Sequence, residues 1–227
     1  ALAAGFAALG VWQVERLHWK RDLIATVEDR LARAPVEAPS ASAWSAEDAY
    51  TRVTAEGVFS HGQEVLVQAV TERGAGFWVM TPLETSQGVV LINRGFVPPN
   101  RRMPSTRMAG QTAGRVRVTG LLRASEPDGG FLRANAPDEG RWYSRDVSAI
   151  AENRALEGRI APYFIDADAA PNEGGYPIGG LTVVRFRDSH FSYALTWFGL
   201  SILSFAGGAV VLRNRRGSRV AGAHHDP

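Results

Sequence analysis

A chain of 227 residues with 25 Lys+Arg against 23 Asp+Glu carries a formal charge of only +2. Without a run of basic residues interleaved with aromatics, it presents no nucleic-acid-binding face. Cysteine is absent, which excludes disulfides, thiolate metal sites, a cysteine nucleophile and copper delivery through thiolate ligands. The mean hydropathy of −0.13 averages over a polar majority and two apolar ends.

Residues 1–11 are small, apolar and uncharged, and the chain starts at Ala1 with no Met. Eleven residues are too few to span a bilayer. The pattern continues as helix with no small-residue cleavage site, so residues 1–12 are expected to be the outer part of a first transmembrane helix, not the remains of a signal peptide. Residues 13–34 read as a helix leaving the membrane. Leu17, Leu23, Ile24, Val27 and Leu31 recur near one face, Trp12 and Trp19 sit at aromatic-belt depth, and Pro35 stops the helix. Residues 36–45, rich in Pro, Ala and Ser, read as linker or coil.

Strand signals follow at 50–55, 57–59, 64–69, 76–82, 88–95, 116–122, 162–166 and 181–185. The fourth is expected to end at Pro82, which cannot donate to a ladder. Val116, Val118 and Leu122 alternate with Arg115, Arg117 and Arg123, a half-buried pattern. Asp146 is placed to cap a short helix over 147–155. Long loops are expected at 98–113, 123–140 and 171–180. Strands dominate residues 35–190, so this segment is expected to be one external, mainly β domain, an antiparallel sheet or barrel with one or two helices.

Residues 191–212 hold no charged side chain, and as helix they would reach ~33 Å, enough for a bilayer core. Arg213, Arg215, Arg216 and Arg219 follow in the tail 213–227 and favour the cytoplasmic or matrix side. The expected fold class is thus a multi-pass membrane protein with two transmembrane helices flanking an external domain. That domain faces the periplasm from a bacterial inner membrane, or the intermembrane space from a mitochondrial one.

Gly-x-Ser-x-Gly, His-Glu-x-x-His and a phosphate-binding loop are all missing, and Asp146, Asp166 and Asp168 form no recognisable acid pair, so no enzyme activity is expected. Five histidines remain. His224 and His225 belong to a polar tail and His61 to a turn. His18 lies on the emergent helix. His190 stands directly before the second apolar run, where an imidazole can ligate a haem iron, cap a helix or anchor at the interface. Arg94 closes a strand and is expected to pair internally with Asp or Glu rather than grip a ligand carboxylate or propionate.

Four runs resemble one family in order and spacing: Leu9-Gly-Val-Trp-Gln-Val-Glu-Arg-Leu-His-Trp-Lys20, Leu91-Ile-Asn-Arg-Gly-Phe-Val-Pro98, Trp142-Tyr-Ser-Arg-Asp146 and Ser189-His-Phe-Ser-Tyr-Ala-Leu-Thr-Trp-Phe198. The chain resembles the surfeit locus protein one (Shy-type) family, assembly factors for haem-copper cytochrome c oxidase. One departure is Phe96, where the family often has Trp. The resemblance implies a non-enzymatic chaperone that binds haem a and assists its insertion into the oxidase catalytic subunit. It puts the axial ligand on His190, with His18 the alternative. Tyr193 and Trp197 are then expected beside the ring, and Arg187, Arg185 and Lys20 near its propionates. The expected partners are that subunit, other assembly factors, membrane lipid and the haem a synthesis enzyme. A scaffold that never touches haem is the competing reading, and a membrane-anchored enzyme a third.

Overall fold

A computed structural model describes residues 2–130, 133–182 and 190–222, with residues 23, 190, 211–212 and 214–222 described by backbone alone. The described residues divide into two units by contact: one drawn from Ala1–Thr26 and Arg185–Pro227, the other from Val27–Val184.

The first unit is a helix pair. Helix α1 runs unbroken over Leu2–Ala32, ending ahead of Pro35 as the sequence implies. The other long helix, His190–Gly222, is here α3. Within it Phe191–Val210 is long and apolar enough to cross a bilayer, and only 6% of its most apolar window is buried. Such a surface fits lipid and does not fit the interior of a globular core.

The second unit is a closed β-barrel. Its strands are β1 (Val36–Glu37), β2 (Arg52–Phe59), β3 (Val65–Thr71), β4 (Gly74–Thr85), β5 (Gly88–Val97), β6 (Arg115–Ala124) and β7 (Ile160–Ala167), with a short helix α2 (Val147–Asn153) before β7. The sheet order is β1-β2-β6-β7-β5-β4-β3, and an additional β2–β4 pairing closes β2, β6, β7, β5 and β4 into a ring. Closure removes the edges that an open sheet would leave exposed. Most neighbours are antiparallel, but β5 and β7 run parallel, as do β1 and β2.

Strand β5 shows why the ring holds. It is buried along almost its whole length, because its two faces serve two cores. Val90 and Ile92 enter the barrel interior with Val53, Leu83, Leu122, Tyr163 and Ile165. Leu91 points the other way, onto Val67, Met80, Trp142, Ile150 and Phe164 beneath α2. A two-sided strand must read as a continuous apolar run.

Several sequence expectations are corrected. The segments 50–55 and 57–59 form one strand, β2. Residues 36–37, read as coil, pair with β2. Strand β4 passes through Pro82 to Thr85. Pro82 O accepts from Ser60 N at 3.0 Å, so its ring nitrogen also faces the β2 side, at the end of that ladder, and no bond to β5 is lost. Of the strand expected at 181–185, residues 181–182 are not strand, and 183–185 lie outside the described residues.

Gly57 makes the closure possible. It pairs with Val116 on β6 and with Thr85 on β4. A Cβ there would stand 2.2 Å from the Glu84 carbonyl oxygen. Gly57→Val is therefore expected to destabilise the barrel by about 3 kcal/mol, measured by urea unfolding of the full chain, with the far-ultraviolet spectrum of the remaining folded fraction unchanged.

Candidate functional site

The helix pair carries the residues expected at a cofactor site. Ser201 Oγ donates to Ala3 O at 2.8 Å. The Phe6 and Trp197 rings stack at 5.7 Å, and Gly10 lies under Phe198. Rising numbers on α1 meet falling numbers on α3, so the helices are antiparallel. On α1 the seam falls at Ala3, Phe6, Gly10 and the buried Gln13 and Leu17, a three-four spacing that returns to one helix face. Ala194 is the buried counterpart on α3. A Cβ on Gly10 would come within 2.6 Å of the Phe198 ring, so glycine permits the close approach.

This packing sorts the candidate residues. Trp197 is half-buried against Phe6. Tyr193 is 54% exposed, and Phe191, Trp12 and Trp19 are exposed with it. His18 is exposed beside the buried Leu17. His190 opens α3. Arg185, Arg187 and the side chain of His190 lie outside the description, as do His224 and His225. Relative to the Gly10–Phe198 contact, His18 is eight residues onward on α1 and His190 eight residues earlier on α3. In antiparallel helices both positions therefore lie at one level, ~12 Å along the axis.

The fit to a haem can be judged from these contacts. Between Ala3 and Gly10 the seam is closed by side chains in contact, so a macrocycle does not fit between the helices there. At the His18/His190 level two backbone positions carry imidazole residues, His18 and Tyr193 are exposed, and imidazole is a donor type that haem iron takes. The guanidinium of Arg16 sits 4.1 Å over the Trp19 ring. The closed part of the pair thus excludes the group, and the His18/His190 level supplies the imidazole residue type that a haem iron takes.

In the barrel unit, Asp166 is 2% exposed. Asn93 Nδ2 donates to it at 2.7 Å, Arg123 at 2.8 Å and Arg145 at 3.0 Å. Arg145 Nε also donates to Glu126 Oε2 at 2.9 Å, and its guanidinium lies 4.7 Å over the Phe164 ring. Burial alone would lower the Arg145 pKa, but Asp166 and Glu126 outweigh it and raise it. Two cations and two carboxylates satisfy one another, an arrangement that fixes a loop and leaves no group free for proton transfer. Three positions of the Trp142–Asp146 run act in this frame: Trp142 in the core, Arg145 in the network and Asp146 as the cap of α2, accepting from Ala149 N at 3.2 Å.

Arg94 departs from expectation. No carboxylate pairs with it among the described residues. It donates to Gly110 O and, at 3.0 Å, to Asn172 Oδ1, with its guanidinium 4.7 Å over Phe59. The Arg94 residue is 3% exposed, and burial lowers its pKa to about 10. The nearby carboxylate, Glu64, is taken by Arg107, a pairing that spacing could not reveal. His61, expected to be a solvated turn residue, is instead half-buried, with Nε2 3.0 Å from Thr112 O.

Fold and helix pair together define a closed β-barrel protein with an apolar helix able to anchor it in a bilayer. The chain belongs to the SURF1 family, whose family model matches residues 1–202. A SURF1-like protein of Monosiga brevicollis is 39% identical over 225 residues, 93% of this chain and 84% of its own length. Surfeit locus protein 1 of Mus musculus is 37% identical over 211 residues, 85% of this chain and 67% of its own. The human protein of that name is 37% identical over 213 residues, 85% and 69%.

Two outcomes test this geometry. Gly10→Leu is expected to part the helices near Phe198, seen as loss of crosslinking between cysteines introduced at Ala3 and Ser201, while the barrel melts as before. Burial, the largest influence on His61, lowers its pKa from 6.5; Arg94 and Arg107 also lower it, while the Thr112 carbonyl and Glu64 oppose. Its folded form thus binds fewer protons than the unfolded one, so its contribution is present above pH 6.5 and lost as pH falls through the lowered value. Thermal melts from pH 7.5 to 5 are expected to fall less steeply for His61→Gln than for the parent.

Proposed function

We propose that this chain is a membrane assembly factor for a haem-copper cytochrome c oxidase that binds haem a and assists its insertion into the catalytic subunit. The observation that carries this reading is the level shared by His18 and His190 on antiparallel helices, beside exposed aromatic rings, in a SURF1-family chain. Membership supports the oxidase connection through the family resemblance. In this reading α1 and α3 both span the membrane, with the barrel in the periplasm or the intermembrane space and the arginines after residue 212 on the opposite side.

The chain's own residues then hold and shield; they perform no reaction. Haem a, when bound, would supply an iron that takes an imidazole ligand and an apolar ring that needs shielding from water. His190 would supply an imidazole to that iron, with His18 the alternative on the other helix. Tyr193 would cover ring surface. Trp197, committed to Phe6, would hold the pair in register. Arg187 and Lys20 would meet the propionates. The partners are the catalytic subunit, other assembly factors and the enzyme supplying haem a. No catalytic step is assigned to the chain.

The closed seam from Ala3 to Gly10 favours one competing reading, a scaffold that steadies an oxidase intermediate without haem. Replacement of the two histidines separates them. His190→Ala is expected to remove or shift the Soret band of protein purified from cells making haem a, with membrane insertion retained. An unchanged band in both His190→Ala and His18→Ala would reject ligation by either residue.

A further inference from the structure

A cleft of ≈ 190 Å³ opens at one side of the barrel, bordered by Arg94, Phe59, Ile92, Val116, Val118 and Asn172. Its walls are mostly apolar, and Arg94 is its buried cation. The Nη1 nitrogen of Arg94 is buried with no hydrogen-bond partner among the described residues. Its other terminal nitrogen meets only neutral oxygens, Gly110 O and Asn172 Oδ1. A guanidinium taken out of water without a counter-ion is costly, and an anion reaching it would offset that cost.

The surroundings decide what kind of anion. Arg117, also on the rim, is engaged by Glu56, and Glu64 by Arg107. Among the described residues, Arg94 is therefore the one cation at this cleft without a carboxylate. Asp168 stands on the rim as well and disfavours a dianion. The stack of Phe59 on the guanidinium continues an apolar wall into the barrel core. We propose that this cleft is a binding site for a single carboxylate carried on a short apolar stem. The carboxylate takes the unpartnered donor of Arg94, which is closed to water in this structure, and the stem lies along Phe59, Val116 and Val118. Volume limits the stem to a few carbons. This site stands apart from the haem reading and does not depend on it.

Isobutyrate is the probe, titrated against the full chain and followed by its melting temperature, since a ligand of the folded state raises it saturably. Wild type is expected to show a saturable rise. Isobutyramide, of the same shape without the charge, and inorganic phosphate are expected to need at least tenfold higher concentration for the same rise. Arg94→Gln is expected to abolish the response. Ala170→Trp, which covers the cleft from an exposed rim position and buries nothing of the core, is expected to do the same and decides the matter if Arg94→Gln does not fold. A wild type that does not respond, an amide or phosphate as effective as isobutyrate, or an undiminished response in Ala170→Trp would each overturn the site.

Discussion

A carboxylate sealed inside a protein must be paired or give up its charge, and in the barrel that requirement falls on Asp166. Its two oxygens are met by Asn93 from β5, Arg123 from β6 and Arg145 from the segment that leads into α2. Through Arg145 the same pairing reaches Glu126 at the start of the long loop after β6. One buried charge thus joins the parallel β5–β7 pair to β6 and sets where the chain re-enters the barrel. Trp142, two positions before Ser144 and three before Arg145, is carried into the second core by the same segment. Removing one partner of such a set strands the others, typically at ~3–5 kcal/mol, so its members stand or fall together.

The helix pair obeys a different constraint. Where lipid surrounds both helices, as proposed, apolar contact gains little, and close approach of small residues does more. Ala3, Gly10, Ala194 and Ser201 occupy the seam, and the large rings Phe6, Trp197 and Phe198 pack across it. Among the described residues of α3, Ile202, Leu203 and Phe205 are exposed and face outward. What the seam leaves free at the His18/His190 level is a polar–aromatic surface, and the haem reading concerns that surface.

How much of this could be read beforehand follows from what each signal depends on. Local signals located β2 to β7 and the charge-free run by apolar pattern and the α2 cap by the Asp146 side chain, but missed the two-residue β1 and placed a strand at 181–182 where there is none. Closure of the barrel was not legible, since it depends on Gly57 meeting two strands at once. The ion network was missed because Asp166, Arg123 and Arg145 are far apart in sequence and become neighbours only when β6 and β7 pair. The expected internal partner of Arg94 failed for the same reason: Arg107, arriving from the loop, takes Glu64 first. The strong motifs proved largely architectural. In the runs around Asn93 and Trp142 most positions are committed to packing or pairing, whereas in the helix runs the seam positions Gly10, Gln13, Leu17, Ala194, Trp197 and Phe198 are. His18 and Tyr193 are among the exposed positions that the seam does not use.

The central claim is that the helix pair carries haem a, and the direct measurement is the visible spectrum of the wild-type full chain purified from cells that synthesise haem a. The account predicts a Soret band and a haem a extract that scale with the amount of protein. A spectrum featureless above the protein absorption, from membranes in which haem a is present, would contradict it and leave the barrel and its helices as a scaffold.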